Sequence, residues 1–138
     1  MTRRAIVLAL ITAFALLVPA VALAGIKRGT YIEPTSQTYI VTNAAATSIK
    51  TFQFPCVVGG EQRGGNTINK VLKISKTGAF SFKGKSTLRS EFPKVISVKI
   101  SGRYVNGKIK GKVQYLTTGT GCEDRSYSAK YYGVNPQG

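Results

Sequence analysis

The dipeptide Asn106-Gly107 stands between two runs in which apolar and polar residues alternate. No other feature of the chain constrains its fold as much. Both residues tolerate positive φ, as the type I′ turn of a two-residue hairpin demands. Before the turn, Ile96, Val98, Ile100, Gly102 and Tyr104 fall on one side of an extended backbone, and Ser97, Lys99, Ser101 and Arg103 on the other. After it, Ile109, Gly111, Val113 and Tyr115 alternate with Lys108, Lys110, Lys112 and Gln114. The turn fixes a register: Val105 opposite Lys108, Tyr104 opposite Ile109, Gly102 opposite Gly111, Ile100 opposite Val113, Val98 opposite Tyr115. Every apolar residue on the inner face then meets an apolar residue or glycine, as a half-buried antiparallel pair requires. Two glycines facing each other on the inner side predict sharp bending or the close approach of another segment.

The same period of two runs through the rest of the chain after Gly25, and no helical periodicity competes with it. Strands are expected at Gly29 to Glu33, Gln37 to Thr42, Thr47 to Val58 (with Pro55 marking an edge or bulge) and Thr67 to Ser75 (interrupted at Lys70). Phe80, Phe82 and Gly84 face inward opposite Ser81, Lys83 and Lys85, and Arg125 to Tyr132 closes the chain with Tyr127, Ala129 and Tyr131 inward. The expected fold is all-β: about eight antiparallel strands in a meander barrel, with a two-sheet sandwich as the alternative. Inward glycines at 84, 102 and 111 suit curled strands and favour the barrel.

The first 24 residues follow a different rule. Arg3 and Arg4 precede an uncharged stretch from Ala5 to Ala24, broken by Pro19 and ending in Ala22-Leu23-Ala24. This is the anatomy of a secretory signal helix, with cleavage expected between Ala24 and Gly25 and a single domain over 25–138. The rival reading is a retained anchor, because the apolar run approaches the ~20 residues that span a bilayer. Either way the domain is expected to be exported, secreted or held at the cell envelope. In that compartment an even cysteine count reads as a bridge, and Cys56 and Cys122 allow one intramolecular pairing.

Chemistry is limited by what is missing. The chain has no histidine, which removes the commonest general base and every Ser-His or Cys-His arrangement. No metal or other cofactor is expected, since the two cysteines are better used as a bridge. The five acids are Glu33, Glu61, Glu91, Glu123 and Asp124. Glu123 and Asp124 would point to opposite sides of a strand, and Glu33 and Glu91 are far apart in sequence, so no glycosidase-like carboxylate pair is read. Gly60 to Thr67 has the outline of a phosphate-binding loop, but Asn66 replaces the lysine and a strand follows, so it reads as a flexible loop.

What remains is charge. The chain carries a net +15, and +13 once Arg3 and Arg4 leave with the signal. Lys99 and Arg103 on one strand of the hairpin lie beside Lys108, Lys110 and Lys112 on the other, all outward, with Arg103 opposite Lys110. A cationic plate suits an anionic cell-wall polymer or a membrane surface. Its competing role is to keep the sheet soluble and guard its edges. Outward positions here are Lys, Arg, Ser and Gln without the aromatics on which bases stack, which argues against nucleic acid.

Gly29-Thr30-Tyr31, Gly78-Ala79-Phe80, Ser86-Thr87-Leu88-Arg89 and the late Cys122 resemble the pattern of small secreted bacterial β-proteins of about this size. The resemblance implies no activity, so no functional residue is carried over from it. The expected function is therefore a non-enzymatic, exported β-domain that binds anionic envelope polymers. A barrel holding a small apolar ligand is the alternative, and a carboxylate- or lysine-dependent hydrolase comes third.

Overall fold

The computed structural model describes residues 26–35, 37–90 and 94–134. The expected signal segment, its Ala24–Gly25 junction and Glu91 lie outside them. Nine strands and no helix are formed: β1 (Thr30–Glu33), β2 (Thr38–Thr42), β3 (Ser48–Val58), β4 (Glu61–Ile68), β5 (Leu72–Lys73), β6 (Ala79–Arg89), β7 (Lys94–Val105), β8 (Lys108–Tyr115) and β9 (Arg125–Gly133).

The β7–β8 hairpin has the register that alternation and turn chemistry dictate, from Val105↔Lys108 to Val98↔Tyr115. Asn106 and Gly107 both sit at positive φ, 49° and 78°. From this hairpin the pairings spread outward in one antiparallel sheet. β8 pairs with β9 and β9 with β1; β7 pairs with β6 and β6 with β4. β4 pairs with β3, β3 with β2 and β2 with β1, so the hydrogen bonding returns to its start in a ring of eight strands. The narrowest seams of the ring are β4–β6 and β1–β9, with three residue pairs each.

Two expectations are corrected. Gly60 to Thr67 is no loop, because Glu61–Ile68 forms β4, paired with β3 from Phe52↔Ile68 to Val58↔Glu61. One of its glycines is needed where a neighbour comes close: a side chain at Gly64 would collide with the Arg89 carbonyl oxygen on β6. The strand read from Thr67 to Ser75 is broken at Asn69 to Val71, and its second part, β5, joins β3 at Ser48 and Ile49. The count is therefore nine strands instead of about eight. Pro55 does mark an irregularity. The β3–β4 register shifts between Cys56 and Val57, and β2 accompanies β3 only as far as Gln53, leaving an edge where the missing N–H costs nothing.

Inside the ring, the inward residues of all the long strands form one buried cluster. Phe52 on β3 meets the rings of Phe54, Phe80 and Tyr127 edge-on, at 5.7, 6.1 and 5.5 Å, and so joins β3 to β6 and β9 across the interior. The facing glycines explain how so much fits. Tyr127 reaches from β9 beneath β8 and donates its hydroxyl hydrogen to the Ser101 carbonyl on β7, at 2.8 Å. A side chain on Gly111 or Gly102 would collide with that hydroxyl, and one on Gly102 with the Phe80 ring as well. The glycine pair is the slot through which Tyr127 passes.

Both ends of the ring are closed by irregular chain. At one end Ile26 is buried and the Lys27 carbonyl accepts a hydrogen bond from Tyr31, whose ring packs on Tyr104 and Tyr131. At the other end the 116–124 connection folds over the β3–β4 turn. Glu123 donates its N–H to the Val57 carbonyl, its carboxylate accepts from Gly59 N–H, and Cys122 is disulfide-bonded to Cys56. The bridge joins residues 66 apart in sequence. Such a cross-link suits an oxidising environment.

Replacing both cysteines by alanine is expected to cost about 4 kcal/mol by the chain-entropy relation, read as a lower urea midpoint with reversible unfolding. Alkaline pH supplies a second prediction. Burial pushes the hydroxyls of Tyr31, Tyr115 and Tyr127 well above their ordinary pKa of 10.0. The unfolded chain therefore ionises first, and stability that is complete below about pH 10 declines as pH rises above it. Tyr127→Phe is expected to lose about 1 kcal/mol at neutral pH, with its hydrogen bond, and to show a shallower alkaline decline than the parent protein.

A cationic sheet face as the candidate binding surface

Because β6, β7, β8 and β9 are neighbours, their outward residues form one continuous face. Lys99, Arg103, Lys110 and Lys112 are exposed on it and Lys108 is half-buried. All five expected residues are thus brought together. The neighbouring strands extend the set. Lys83 on β6 lies directly opposite Lys99, with Lys85 two residues further along, and Lys130 on β9 lies directly opposite Lys108. Lys130 was not singled out by sequence reasoning, although the inward placement of Ala129 and Tyr131 already implies that it points outward.

The register creates three like-charge pairs at facing positions: Lys83↔Lys99, Arg103↔Lys110 and Lys108↔Lys130. Directly opposed like charges destabilise a sheet by some tenths of a kcal/mol each. No described carboxylate makes an ion pair with any of them. Among the described residues the ion pairs are Arg63–Glu61, at 2.9 Å, and Arg125–Glu33, at 3.8 Å, neither of which involves the lysine ladder. Between β8 and β9 the face carries a shallow depression of about 530 Å³, flanked by Lys110, Lys112, Ser126 and Ser128, with Glu33 at its margin.

The described acids are committed to the scaffold instead. Glu33 accepts a hydrogen bond from the Ser128 backbone N–H, beyond the point where β1 stops pairing with β9. Asp124 accepts from Tyr115 N–H at 2.8 Å, and Glu123 holds the β3–β4 turn. They act as backbone caps at separate places and make no two-carboxylate centre. No group of three His, Cys, Asp or Glu able to hold a metal ion occurs among the described residues.

Tyr104 and Tyr115 are partly buried on the inner side. Tyr115 accepts a hydrogen bond from the Asn66 amide and donates one to the Pro55 carbonyl. Among the described residues, the aromatic side chain that stands out in solvent is Tyr132, beyond Lys130 on β9. Comparison with protein-family models, with curated proteins and with solved structures finds no match to this chain.

The like-charge register has a measurable consequence. Lys99→Glu converts the Lys83↔Lys99 opposition into an attractive pair, and a gain of up to about 1 kcal/mol is expected at low ionic strength. The gain should fade in 1 M salt, where charges are screened over ~3 Å, as followed by the urea midpoint at both salt concentrations.

Proposed function

We propose that the chain is an exported, non-enzymatic domain whose ring of strands closes as a β-barrel and whose β6–β9 face binds an anionic polymer of the cell envelope. The observation that carries this reading is the set of three directly opposed cation pairs on one face, none of them in an ion pair with a described carboxylate. A face built only for solubility is served by mixed signs, which also lower the self-repulsion. Here repeated anionic groups along a polymer offset a repulsion that the fold otherwise carries unrelieved. The disulfide and the amino-terminal pattern of Arg3 to Ala24 support export. Phe52, Phe80 and Tyr127 meet in the middle of the ring, in the space a small apolar ligand would need, so the anionic reading is preferred to that alternative.

The test is retention of the purified protein on immobilised polyphosphodiester and on heparin across a salt gradient. The variant with Lys108→Gln, Lys110→Gln and Lys112→Gln together is expected to elute at lower salt. Its plot of log affinity against log salt should be shallower by about 2, the share of three phosphate contacts. Unchanged elution and slope would overturn the proposal.

A further inference from the structure

The direction of each strand sorts the charges along the axis of the ring. β1, β3, β6 and β8 run away from the end where Ile26 is buried, and β2, β4, β7 and β9 run back towards it. The four described acids all fall at the far end: Glu33 closes β1, Glu61 opens β4, and Glu123 and Asp124 immediately precede β9. The near end carries only cations among its charged described residues. Lys27 and Arg28 are exposed on the entering chain, and Lys70, Lys73 and Lys76 are exposed in and around β5. Lys108 and Lys130 face each other beside the Asn106-Gly107 turn.

Apolar side chains protrude from this same end. Tyr132, near the end of β9, is 79% exposed, and Val134 just after it, Val105 before the hairpin turn and Val71 before β5 are exposed at the same end. Tyr131 donates its N–H to the Gly107 carbonyl, which holds the β9 end beside the hairpin turn and sets Tyr132 among the lysines. A tyrosine and short aliphatics projecting from a ring of lysines is the composition that sits at the headgroup level of a bilayer. The chain also joins the domain here: the uncharged stretch from Ala5 to Ala24 leads directly to Ile26. If retained, that segment would meet the domain at this end.

We infer that the end of the ring bearing Ile26, the Asn106-Gly107 turn and Tyr132 docks on an anionic lipid surface. Its lysines neutralise headgroup phosphates, Tyr132 and its aliphatic neighbours enter the interface, and the β6–β9 face is left standing out from the bilayer. This inference does not depend on the polymer-binding reading, because its partner is a lipid surface. Although Lys108 and Lys130 belong to both surfaces, Lys27, Arg28, Lys70, Lys73 and Lys76 lie outside the β6–β9 face.

The chain contains no tryptophan, so a single introduced one reports from its own position. Tyr132→Trp places the probe at the docking end. Val95→Trp, at a residue 62% exposed near the opposite end, serves as the control, and both sites are open enough to accept the ring. The full-length chain is mixed with vesicles of phosphatidylcholine alone or of phosphatidylcholine with phosphatidylglycerol. With phosphatidylglycerol present, Tyr132→Trp fluorescence is expected to shift to the blue and to resist acrylamide quenching, while Val95→Trp stays unchanged. Neutral vesicles should give neither effect, even if the amino-terminal segment tethers the protein to them. Adding Lys70→Gln, Lys73→Gln and Lys76→Gln to the Tyr132→Trp protein should weaken the response about fivefold per lysine, and these residues lie outside the β6–β9 face. No shift at position 132, an equal shift at 95, or the same shift on neutral vesicles would overturn the inference. Unchanged polyanion elution of the Lys108→Gln, Lys110→Gln, Lys112→Gln protein, with the position-132 response intact, would sink the polymer reading alone.

Discussion

In a sheet whose hydrogen bonds return on themselves, every inward side chain must share one small volume, and the rest of this structure depends on how that volume is divided. Large rings from β3, β6 and β9 meet in the middle, and Tyr127 spans two strands to reach the Ser101 carbonyl. Gly102 and Gly111 make that possible because they bring no side chain into the path of the hydroxyl. The cost of placing glycine in two strand interiors is offset by one hydrogen bond and by the close packing of three aromatic rings. The same arrangement buries the hydroxyl and raises its pKa, so packing and titration have a single origin.

The two ends of the ring are closed by different means. One is plugged by Ile26 and the trio Tyr31, Tyr104 and Tyr131. The other is covered by the 116–124 connection, held through Cys56–Cys122 and through backbone hydrogen bonds that Glu123 both gives and receives. Acids are scarce in this chain, and the structure uses the described ones as caps on backbone N–H groups or beside an arginine at that second end. The lysines of the β6–β9 face and of the opposite end are left without carboxylate partners, and this imbalance is the physical basis of both binding proposals.

Much of this was legible in advance, and the reasons are local. The β7–β8 register followed from one dipeptide and the alternation around it, so Lys99, Arg103, Lys108, Lys110 and Lys112 could be placed together without any tertiary information. The Cys56–Cys122 pairing followed from having two cysteines. β4 was missed because its sequence, Glu61 to Gly65, lacks the apolar alternation that marks a strand. It is extended because β3 offers it a ladder, and Gly64 is required by the proximity of Arg89 on β6. Lys130 was overlooked although the pattern around it was clear, whereas its position opposite Lys108 depended on the β8–β9 pairing across a connection too long to define a register.

The amino-acid sequence by itself determined the extended backbone, the hairpin and the side of each strand that faces the interior, because these depend on turn chemistry and on a two-residue period. Tertiary structure alone decided that β9 returns to β1, that Tyr127 threads between the glycines, and that the described acids gather at the end away from Tyr132. Those outcomes depend on which distant segments share a hydrogen-bond ladder and on the direction each strand takes along the common axis. Neither is encoded in any short stretch of chain.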